Sequence, residues 1–301
     1  MMRFMNNIAI NDLIYMTYLT NYNIGMMYDA LSEYSNRDSI MNYCIEKMKL
    51  NHVNNDKAIE NTKIAIQKLK YHRIKAVSIF DDNYPKNLKK IEDAPPILYI
   101  KGNFKEVKNA AVVGSRKVSG FADVNTKKVI NWLSEEGFSI ISGLAEGIDT
   151  FAHIYALKNN QYTIAVLPNS LDSIYPKTNY SIANDILQSD GCLISETIFN
   201  INRGKRSFVQ RNRIQSALSD VVIPIEMGVN SGTMHTINFA KRYKKKILVS
   251  KINDECRALE QYSGIQSLIT NQSKYIALFD DEKSFKRKLL IDINEQTKLN
   301  F

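Results

Sequence analysis

Small and hydroxyl-bearing residues follow three short apolar runs along the chain, each ahead of a stretch with helical spacing. Backbone amides at the start of a helix, together with the helix dipole, attract anions, and hydroxyl groups add further donors. One such loop alone has an ordinary explanation, since glycine and serine are common in turns and at helix N-caps. Three of them at one edge of a sheet predict a phosphate-binding pocket. The candidate residues are Gly114, Ser115, Arg116, Ser142, Gly143, Ser231, Gly232 and Thr233.

The densest run of positive charge lies between residues 203 and 213, which include five basic residues and no acidic one. Arginine presents forked N–H donors that match phosphate oxygens, and an aromatic ring offers a face on which an unpaired base stacks. A basic run is also typical of a solvated loop, so its position beside the glycine loops decides the interpretation. We predict a groove for single-stranded nucleic acid that includes Lys205, Arg206, Phe208, Arg211, Asn212 and Arg213.

The glycine loops lack the signatures of the common nucleotide enzymes. A nicotinamide dinucleotide site requires Gly-x-Gly-x-x-Gly after the first strand and an acidic residue about 20 positions further on. Residues 114–116 read Gly-Ser-Arg instead, and the second predicted strand ends in Ser142 with no acid there. The Walker sequence of P-loop proteins is absent as well. We therefore expect no cofactor.

Two pairs of titratable residues invite a catalytic interpretation. Asp149 and His153 are spaced i, i+4 on a predicted helix, and Glu196 and Glu226 each follow a predicted strand. The first pair lacks a third partner, so we interpret it as an acid at a helix N-terminus and a packed histidine. Carboxylates beside an arginine-rich segment orient the guanidinium groups through charge-assisted hydrogen bonds. We predict no catalytic residue.

Short β-branched runs alternate with amphipathic helical stretches after residue 109, which is the pattern of parallel βαβ units with right-handed crossovers. The predicted strands are 110–113, 138–141, 163–167, 192–194, 221–225, 247–249 and 275–279. This pattern predicts an α/β fold, an extended Rossmann-like and mostly parallel sheet with helices on both faces. Ligands bind beyond the carboxyl ends of such strands, so the glycine loops and the basic run would share one edge.

The amino-terminal part of the chain has a different pattern. Residues 1 to about 73 contain one glycine and no proline, and their apolar residues recur at helical spacing. Pro85, Pro95 and Pro96 interrupt what precedes them and lead into a short strand near residue 97. We predict a helical module at 1–80, a linker with a lead-in strand at 81–108, and a Rossmann-like domain that binds single-stranded DNA at 109–301.

The composition limits the compartment and the partners. The 301 residues carry a formal net charge of +9, which favours acidic partners such as nucleic acid, an anionic membrane surface or phosphorylated small molecules. No apolar run reaches the roughly 18 residues that a membrane-spanning helix needs, and we identify no signal peptide. The three cysteines have no Cys-x-x-Cys spacing, so we expect neither a disulfide framework nor a metal site. These features predict a cytoplasmic protein without a membrane partner.

At these same residues the chain resembles the DNA-processing protein A family (DprA), also called Smf, whose members bind single-stranded DNA and load the RecA recombinase in natural transformation. The order and spacing of the motifs agree from about residue 80 to residue 250. The matching segments are Asp82-x-Tyr84-Pro85, Pro95 to Tyr99, Gly114-Ser115-Arg116, Ser142 to Asp149 with Ala152-His153, Leu171-Asp172-x-x-Tyr175-Pro176-x-x-Asn179, Ser195-Glu196, Arg211 to Ile214, and Ser231-Gly232-Thr233.

The resemblance implies an extended Rossmann domain with a helical amino-terminal module. It implies a homodimer that binds single-stranded DNA and hands it to RecA, with no established catalytic step. By resemblance, Arg116 and residues 211–213 would line the pocket for DNA phosphates, with Lys205, Arg206 and Phe208 beside it. The chain departs from the family at Pro168 and Val209 and lacks the winged-helix tail of many relatives.

Two alternatives remain open at this stage. A nucleoside monophosphate phosphoribohydrolase of the lysine-decarboxylase-like family resembles Pro-Gly-Gly-x-Gly-Thr-x-x-Glu at its site, but this chain retains only Ser231-Gly232-Thr233 and has Thr236 in place of the acid. A sensor of a signalling nucleotide would use the phosphate pocket without the basic groove. The single-stranded DNA hypothesis leads because it uses both features.

Overall fold

The computed structural model describes residues 8–201, 203–271 and 273–291. The chain forms two compact units. The first contains the described residues of 1–101 together with 169–173 and 194–204, and the second contains 102–168, 174–193 and the described residues from 205 onward.

The first unit begins with four helices. Its elements are α1 (Ile10–Leu19), α2 (Ile24–Glu33), α3 (Arg37–Lys47), α4 (His52–Tyr71), β1 (Ile74–Ser78), α5 (Lys86–Lys89) and β2 (Ile97–Gly102). The side chains of Asn23, Asn36 and Asn51 each accept a hydrogen bond from the backbone amide three residues further on. These N-caps satisfy amides that a helix leaves open, which explains where α2, α3 and α4 begin.

The strand β1 was not predicted from the sequence. It pairs with β2 in antiparallel orientation, with Ile74 opposite Lys101 and Ser78 opposite Ile97. Only two residues, 72 and 73, separate helix α4 from β1. The strand itself has five residues, which are too few to establish a period of two in the sequence. The lead-in strand predicted near residue 97 is present as β2.

The second unit alternates strands and helices. Its elements are β3 (Asn109–Val113), α6 (Ala122–Glu135), β4 (Ser139–Ser142), α7 (Ile148–Lys158), β5 (Thr163–Val166), α8 (Tyr180–Gln188), β6 (Cys192–Ser195), α9 (Arg206–Leu218), β7 (Val221–Pro224), α10 (Thr233–Arg242), β8 (Lys246–Ser250), α11 (Asp254–Arg257), α12 (Ser263–Thr270), β9 (Ile276–Phe279) and α13 (Glu282–Leu290). Each predicted strand agrees with an observed one to within one or two residues at either end.

The strands that lie wholly in the second unit follow the order β5-β4-β3-β7-β8-β9, and β6 crosses from the second unit into the first at residue 194. Strand β3 pairs in parallel with both β4 and β7. Strands β4 and β5 therefore lie on one side of β3, and the later strands β7, β8 and β9 lie on the other. The further pairs β4–β5, β7–β8 and β8–β9 are parallel too. The predicted Rossmann-like fold is confirmed. In such sheets the reversal of strand order opens a crevice beyond the carboxyl ends of the two central strands.

The bounds of the two units differ from the three predicted parts, which remain a prediction. Segments 169–173 and 194–204 belong to the first unit. Hydrogen bonds inside that unit explain this assignment, since the Ser195 hydroxyl donates to the Asn169 carbonyl at 2.7 Å and the Tyr22 hydroxyl donates to Glu196 at 2.9 Å. Across the described residues, no helix is both long and apolar enough to cross a membrane.

The side chain of Lys246 caps the carboxyl end of helix α13. Its ammonium group donates to the carbonyls of Lys288 at 3.0 Å, of Leu289 at 2.7 Å and of Ile291. The residue stands at the end of the basic run 241–246, yet its side chain is buried within strand β8. Carbonyls in the last turn of a helix have no partner within the helix, so a buried cation there stabilises α13.

We expect the change Lys246→Met to lower the free energy of unfolding by about 1–3 kcal/mol, because buried carbonyls at the end of α13 lose their donor. Urea denaturation followed by circular dichroism measures the change. Lys241→Met removes the same charge from the last turn of α10 and serves as the matched control. Equal stability of the two variants would contradict the capping role.

Candidate anion-binding cleft

An open cleft of about 670 Å³ lies beyond the carboxyl ends of β3 and β7, at the point where the strand order reverses. The loop after β3 and the loop before α10 form its walls, and one face of α9 forms its floor. Nine of the residues singled out from the sequence line it: Gly114, Ser115, Arg116, Phe208, Arg211, Asn212, Ser231, Gly232 and Thr233. The fold therefore brings the first glycine loop, the third glycine loop and the basic run to one place.

One face of helix α9 forms the floor of the cleft. Phe208, Arg211, Asn212 and Gln215 all line it, and their spacing of i, i+3, i+4 and i+7 places them on the same helix face. Gln215 was missed in the sequence because it follows the basic run. The helical spacing that starts at Phe208 is the signal that would have found it.

Three basic residues predicted to bind nucleic acid lie elsewhere. The side chain of Arg213 is 0% exposed and does not line the cleft, and its contact with phosphate stays a prediction. Its neighbour Asn212 points into the cleft, and successive helical residues differ by about 100° in direction, which turns Arg213 inward. Lys205 and Arg206 are exposed at the start of α9, outside the cleft wall.

Arg211 is buried beneath the cleft and connects three segments. Its Nη1 donates to the carbonyl of Val166 at 2.9 Å and to that of Gly143, and its Nε donates to Asn212 Oδ1 at 3.0 Å. The residue is 6% exposed, and burial lowers the pKa of its guanidinium while the nearby carboxylate of Asp149 opposes that shift. Arg211 therefore fixes the floor of the cleft, and carbonyl groups take up donors that the sequence analysis had assigned to phosphate.

The second glycine loop packs around this arginine. Asp149 Oδ2 accepts the backbone amides of Gly143 at 3.1 Å and Ala145 at 3.3 Å. Burial raises the pKa of the Asp149 carboxyl, against the opposing effect of Arg211. A Cβ atom on Gly143 would lie 1.7 Å from Arg211 Nη1, so only glycine allows the guanidinium to approach. The interpretation of Asp149 as an acid that holds this loop is confirmed.

Ser142, the last residue of β4, does not line the cleft. It is fully buried, and its hydroxyl donates to the carbonyl of Val112 at 2.7 Å. The Ser142 hydroxyl thus has an acceptor on the neighbouring strand β3, and its contact with phosphate stays a prediction. Gly143 also lies outside the main cleft and lines a smaller cavity beside it.

Several backbone amides expected to be open to an anion already have acceptors in the protein. The Ser115 amide donates to the carbonyl of Glu226 at 2.9 Å, and the Ser231 amide donates to that of Gly228 at 3.1 Å. The carboxylate of Glu226 accepts the amide of Ser119 at 2.9 Å and its hydroxyl at 2.6 Å. Glu226 thus fixes the loop after β3, whereas the sequence analysis had expected it to orient an arginine.

Two polar side-chain groups on the cleft wall lack a partner among the described residues. They are the hydroxyl of Ser231 and the amide nitrogen of Gln215, both shielded from solvent. A buried polar group without a hydrogen bond costs about 1–3 kcal/mol. Both groups can donate, so an acceptor-rich ligand such as a phosphate would relieve this cost.

The rim of the cleft is cationic and aromatic. Arg116 and Lys117 are exposed on the loop after β3. The guanidinium carbon of Arg116 lies 5.2 Å from the centre of the Phe208 ring, and the Phe208 ring meets that of Tyr175 at 5.7 Å with an interplanar angle of 72°. The exposed Glu260 also lines the cleft, on another part of it. The two exposed cations on the loop after β3 suit an anion that enters from solvent.

Glu196 belongs to the first unit and is not among the residues that line the cleft. Its carboxylate accepts from the Tyr22 hydroxyl at 2.9 Å and from Arg203 Nη1 at 2.7 Å. The guanidinium carbon of Arg203 also lies 4.6 Å from the centre of the Tyr22 ring. The predicted role of Glu196 in orienting an arginine holds for Arg203, although this pair anchors the segment 194–204 and does not line the cleft.

His153 packs below the second glycine loop. It is fully buried, its Nδ1 lies 2.8 Å from the Thr163 hydroxyl, and its Nε2 has no partner among the described residues. Burial, with a smaller contribution from the charge of Arg211, lowers the pKa of His153 to about 3. The imidazole is therefore neutral at physiological pH, which agrees with the interpretation of a packed histidine.

The parallel sheet, its switch point and the basic-rimmed cleft define a Rossmann-like α/β protein with a candidate anion-binding site. Residues 75–285 match the model of the family described as DNA recombination-mediator protein A. The chain belongs to this family.

Curated relatives agree with this assignment. The chain is 36% identical to protein Smf of Borreliella burgdorferi over 182 residues, which are 60% of this chain and 57% of that protein. It is 36% identical to DNA processing protein DprA of Streptococcus pneumoniae over 218 residues, which are 70% of this chain and 76% of that protein. The alignment with the Borreliella protein thus spans little more than half of its length.

Two solved structures are similar as well. The X-ray structure of DprA from Streptococcus pneumoniae matches with a TM-score of 0.72 and 27% identity, covering 93% of this chain and 98% of that one. DNA processing protein A from Helicobacter pylori, a structure that concerns its mode of binding single-stranded DNA, matches with a TM-score of 0.63 and 28% identity, covering 73% and 97%.

We expect His153 to make the protein less stable as the pH falls. Its folded pKa of about 3 is below the ordinary value of 6.5, so the unfolded chain binds a proton that the folded chain excludes. The free energy of unfolding then falls by up to about 1.4 kcal/mol per pH unit from pH 6.5 downward. Urea denaturation between pH 7 and pH 4 measures this slope.

The variant His153→Gln supplies the control for this experiment, because a glutamine retains a hydrogen-bonding group beside Thr163 and has no proton to gain. For this variant, the free energy of unfolding should change less steeply with pH, by the amount that corresponds to the uptake of about one proton fewer on unfolding. Identical slopes for the two proteins would contradict a buried neutral histidine.

Proposed function

We propose that this protein binds single-stranded DNA in the cleft and acts as a recombination mediator. One observation carries the proposal: exposed cations on the rim and unpartnered donors on the wall converge at the switch point of the sheet. Membership of a family described as DNA recombination-mediator protein A supports it. So does the similarity to a Helicobacter pylori protein whose binding of single-stranded DNA has been described structurally.

The chemistry of the cleft favours a phosphate chain over a neutral ligand. Arg116 and Lys117 attract the strand from solvent, and the donors of Ser231 and Gln215 meet its phosphate oxygens further in. The cleft contacts the sugar–phosphate chain, which is the same for every sequence. Binding should therefore tolerate sequence changes and weaken with salt.

We further propose that the protein has no catalytic step. Asp149, which lines the cleft, and Glu226, which lies behind the loop after β3, both accept backbone amides and hold loops. Thr236, which replaces the acid of a phosphoribohydrolase, is buried in the cleft wall. These positions disfavour the hydrolase alternative, since a general acid or base must reach the reacting group.

The partners belong to the same proposal. The family resemblance supports a homodimer, and it supports transfer of the bound strand to RecA recombinase in the cytoplasm. The +9 charge of the chain suits a protein that meets nucleic acid.

We expect Arg116→Ala to weaken binding of single-stranded DNA by about tenfold, because one exposed charge at the rim is lost. Fluorescence anisotropy with a labelled oligonucleotide at several salt concentrations measures affinity. The slope of log affinity against log salt should become shallower by about 0.7 for each phosphate contact removed.

Lys127→Ala is the matched control, since this lysine is exposed on α6 and lines neither cavity. It should leave both the affinity and the salt slope unchanged. If Arg116→Ala and Lys127→Ala behave alike, or if duplex DNA competes as well as single-stranded DNA, the proposed cleft is not the binding site.

The change Gln215→Met should alter the affinity for single-stranded DNA without lowering the thermal stability of the protein. Methionine has a similar length but no polar group, so the unpartnered amide is removed from a site where the residue is 1% exposed. We expect thermal stability to stay equal or to rise, and affinity for single-stranded DNA to fall about fivefold. Differential scanning calorimetry and anisotropy test the two halves. A fall in stability without a loss of affinity would assign Gln215 to the core alone.

A further inference from the structure

Helix α10 connects the cleft to the opposite edge of the sheet. Thr233 and His235 in its first turn line the cleft. Its last residue, Arg242, comes shortly before strand β8, so this end of the helix lies at the amino edge of the sheet. Ten helical residues span about 15 Å, and a few nucleotides of an extended strand cover that distance. A strand that leaves the cleft beside His235 therefore has a short path to the amino edge.

The exposed face of α10 is polar and carries no negative charge. His235, Asn238 and Arg242 are exposed, and their spacing of i, i+3 and i+7 places them on one face of the helix. Residues 227–253, which include all of α10, contain no acidic residue. A phosphate chain along this face therefore meets no carboxylate from this segment.

Exposed cations lie at the amino edge, where this face ends. Arg242 and Lys244 stand at the end of α10, Lys274 precedes β9, and Arg287 is in the last turn of α13. We call these four residues the amino-edge cluster. None of them lines the cleft or the smaller cavity beside it. The cluster is thus an open surface of point charges, which suits contacts with a phosphate chain and not the recognition of a base edge.

The sheet register and one buried lysine bring these elements to the same edge. Lys246 pairs with Val221, and Ile247 pairs with Ile276, so β7, β8 and β9 begin at the same level. The Lys246 ammonium group donates to the carbonyl of Lys288 at 3.0 Å, which places the end of α13 there too.

Ordinary explanations account for part of the cluster. A helix dipole favours cations in the last turn of the helix, which applies to Arg242 and Arg287. Lys274 precedes a strand and has no such reason to be basic. The acidic residue before β7, Asp220, accepts a hydrogen bond from the Asn109 amide at 2.8 Å. The four exposed cations outweigh this carboxylate, so the edge keeps an excess of positive charge.

We propose, resting on the proposed binding of single-stranded DNA, that a strand which leaves the cleft continues along the exposed face of α10 and that the amino-edge cluster binds its phosphates. This face and the cluster form a track for the flanking part of the strand that the cleft holds. The track adds affinity for longer strands without adding sequence preference.

The test compares oligonucleotides of about 6 and about 20 nucleotides by fluorescence anisotropy at several salt concentrations. The slope of log affinity against log salt is the main measurement, because a longer strand also offers the cleft more registers. The wild type should have a steeper slope for the longer strand, by about 0.7 for each additional phosphate contacted.

Lys244→Gly removes one charge of the cluster without straining the fold. Lys244 has a φ of 56°, a conformation that glycine adopts at lower cost, so thermal stability should stay equal or rise. For the longer strand the salt slope should become shallower by about 0.7 and the affinity should fall about threefold, while the short strand binds as it does to the wild type. Lys49→Gly is the matched control, since Lys49 is exposed after α3 and has a φ of 52°.

Asn238→Glu tests the path between the cleft and the cluster. A carboxylate midway along the exposed face of α10 repels phosphates, so the affinity for the longer strand should fall about fivefold and that for the short strand should not change. Asn42→Glu, at an exposed position of α3, is the control for this variant.

The track is overturned if the wild type has the same salt slope for both strands, if Lys244→Gly or Asn238→Glu binds the longer strand like its control, or if either variant weakens both strands equally. Failure of the proposed cleft appears differently, as binding of the short strand that Arg116→Ala leaves unchanged.

Discussion

A buried guanidinium is the constraint on which the cleft depends. Arg211 joins the carbonyl of Gly143 after β4 to that of Val166 at the end of β5, while its own helix α9 forms the floor of the cleft. A buried cation is tolerable only when it is hydrogen-bonded and near an opposite charge, which here is Asp149. Removing either partner would leave the other charge uncompensated.

This network makes the cleft rigid before any ligand arrives. Asp149 holds the amides of the second glycine loop, Asn179 donates to the carbonyl of Leu144 at 2.9 Å, and Glu226 holds the loop after β3. Because these loops are already ordered, binding loses little entropy in arranging them. Most residues of the family motifs, such as Asp149 and Asn179, therefore shape the cleft, and a smaller group, such as Arg116, is exposed in it.

Much of the fold and the place of the site could be predicted from the sequence, whereas the direction of individual side chains could not. The alternation of strands and helices predicts the parallel sheet. The position of each glycine loop directly after a strand predicts that the loops meet at the carboxyl edge of that sheet. Neighbours in sequence such as Asn212 and Arg213 nevertheless diverge, because a helix turns by about 100° per residue. Gln215 is neutral and lies outside the basic run, so only its position on the same helix face as Phe208 indicates that it lines the cleft.

Arg116 and Arg211 both lie in segments that match the family motifs, but their environments differ. Arg116 is exposed at the rim, where its charge adds attraction that salt can screen. Arg211 is 6% exposed, and its hydrogen bonds hold the floor of the cleft. Loss of DNA binding in a variant of Arg211 would therefore report on the shape of the cleft as much as on phosphate contact. Substitution of a rim residue separates affinity from folding, since it leaves the buried network intact.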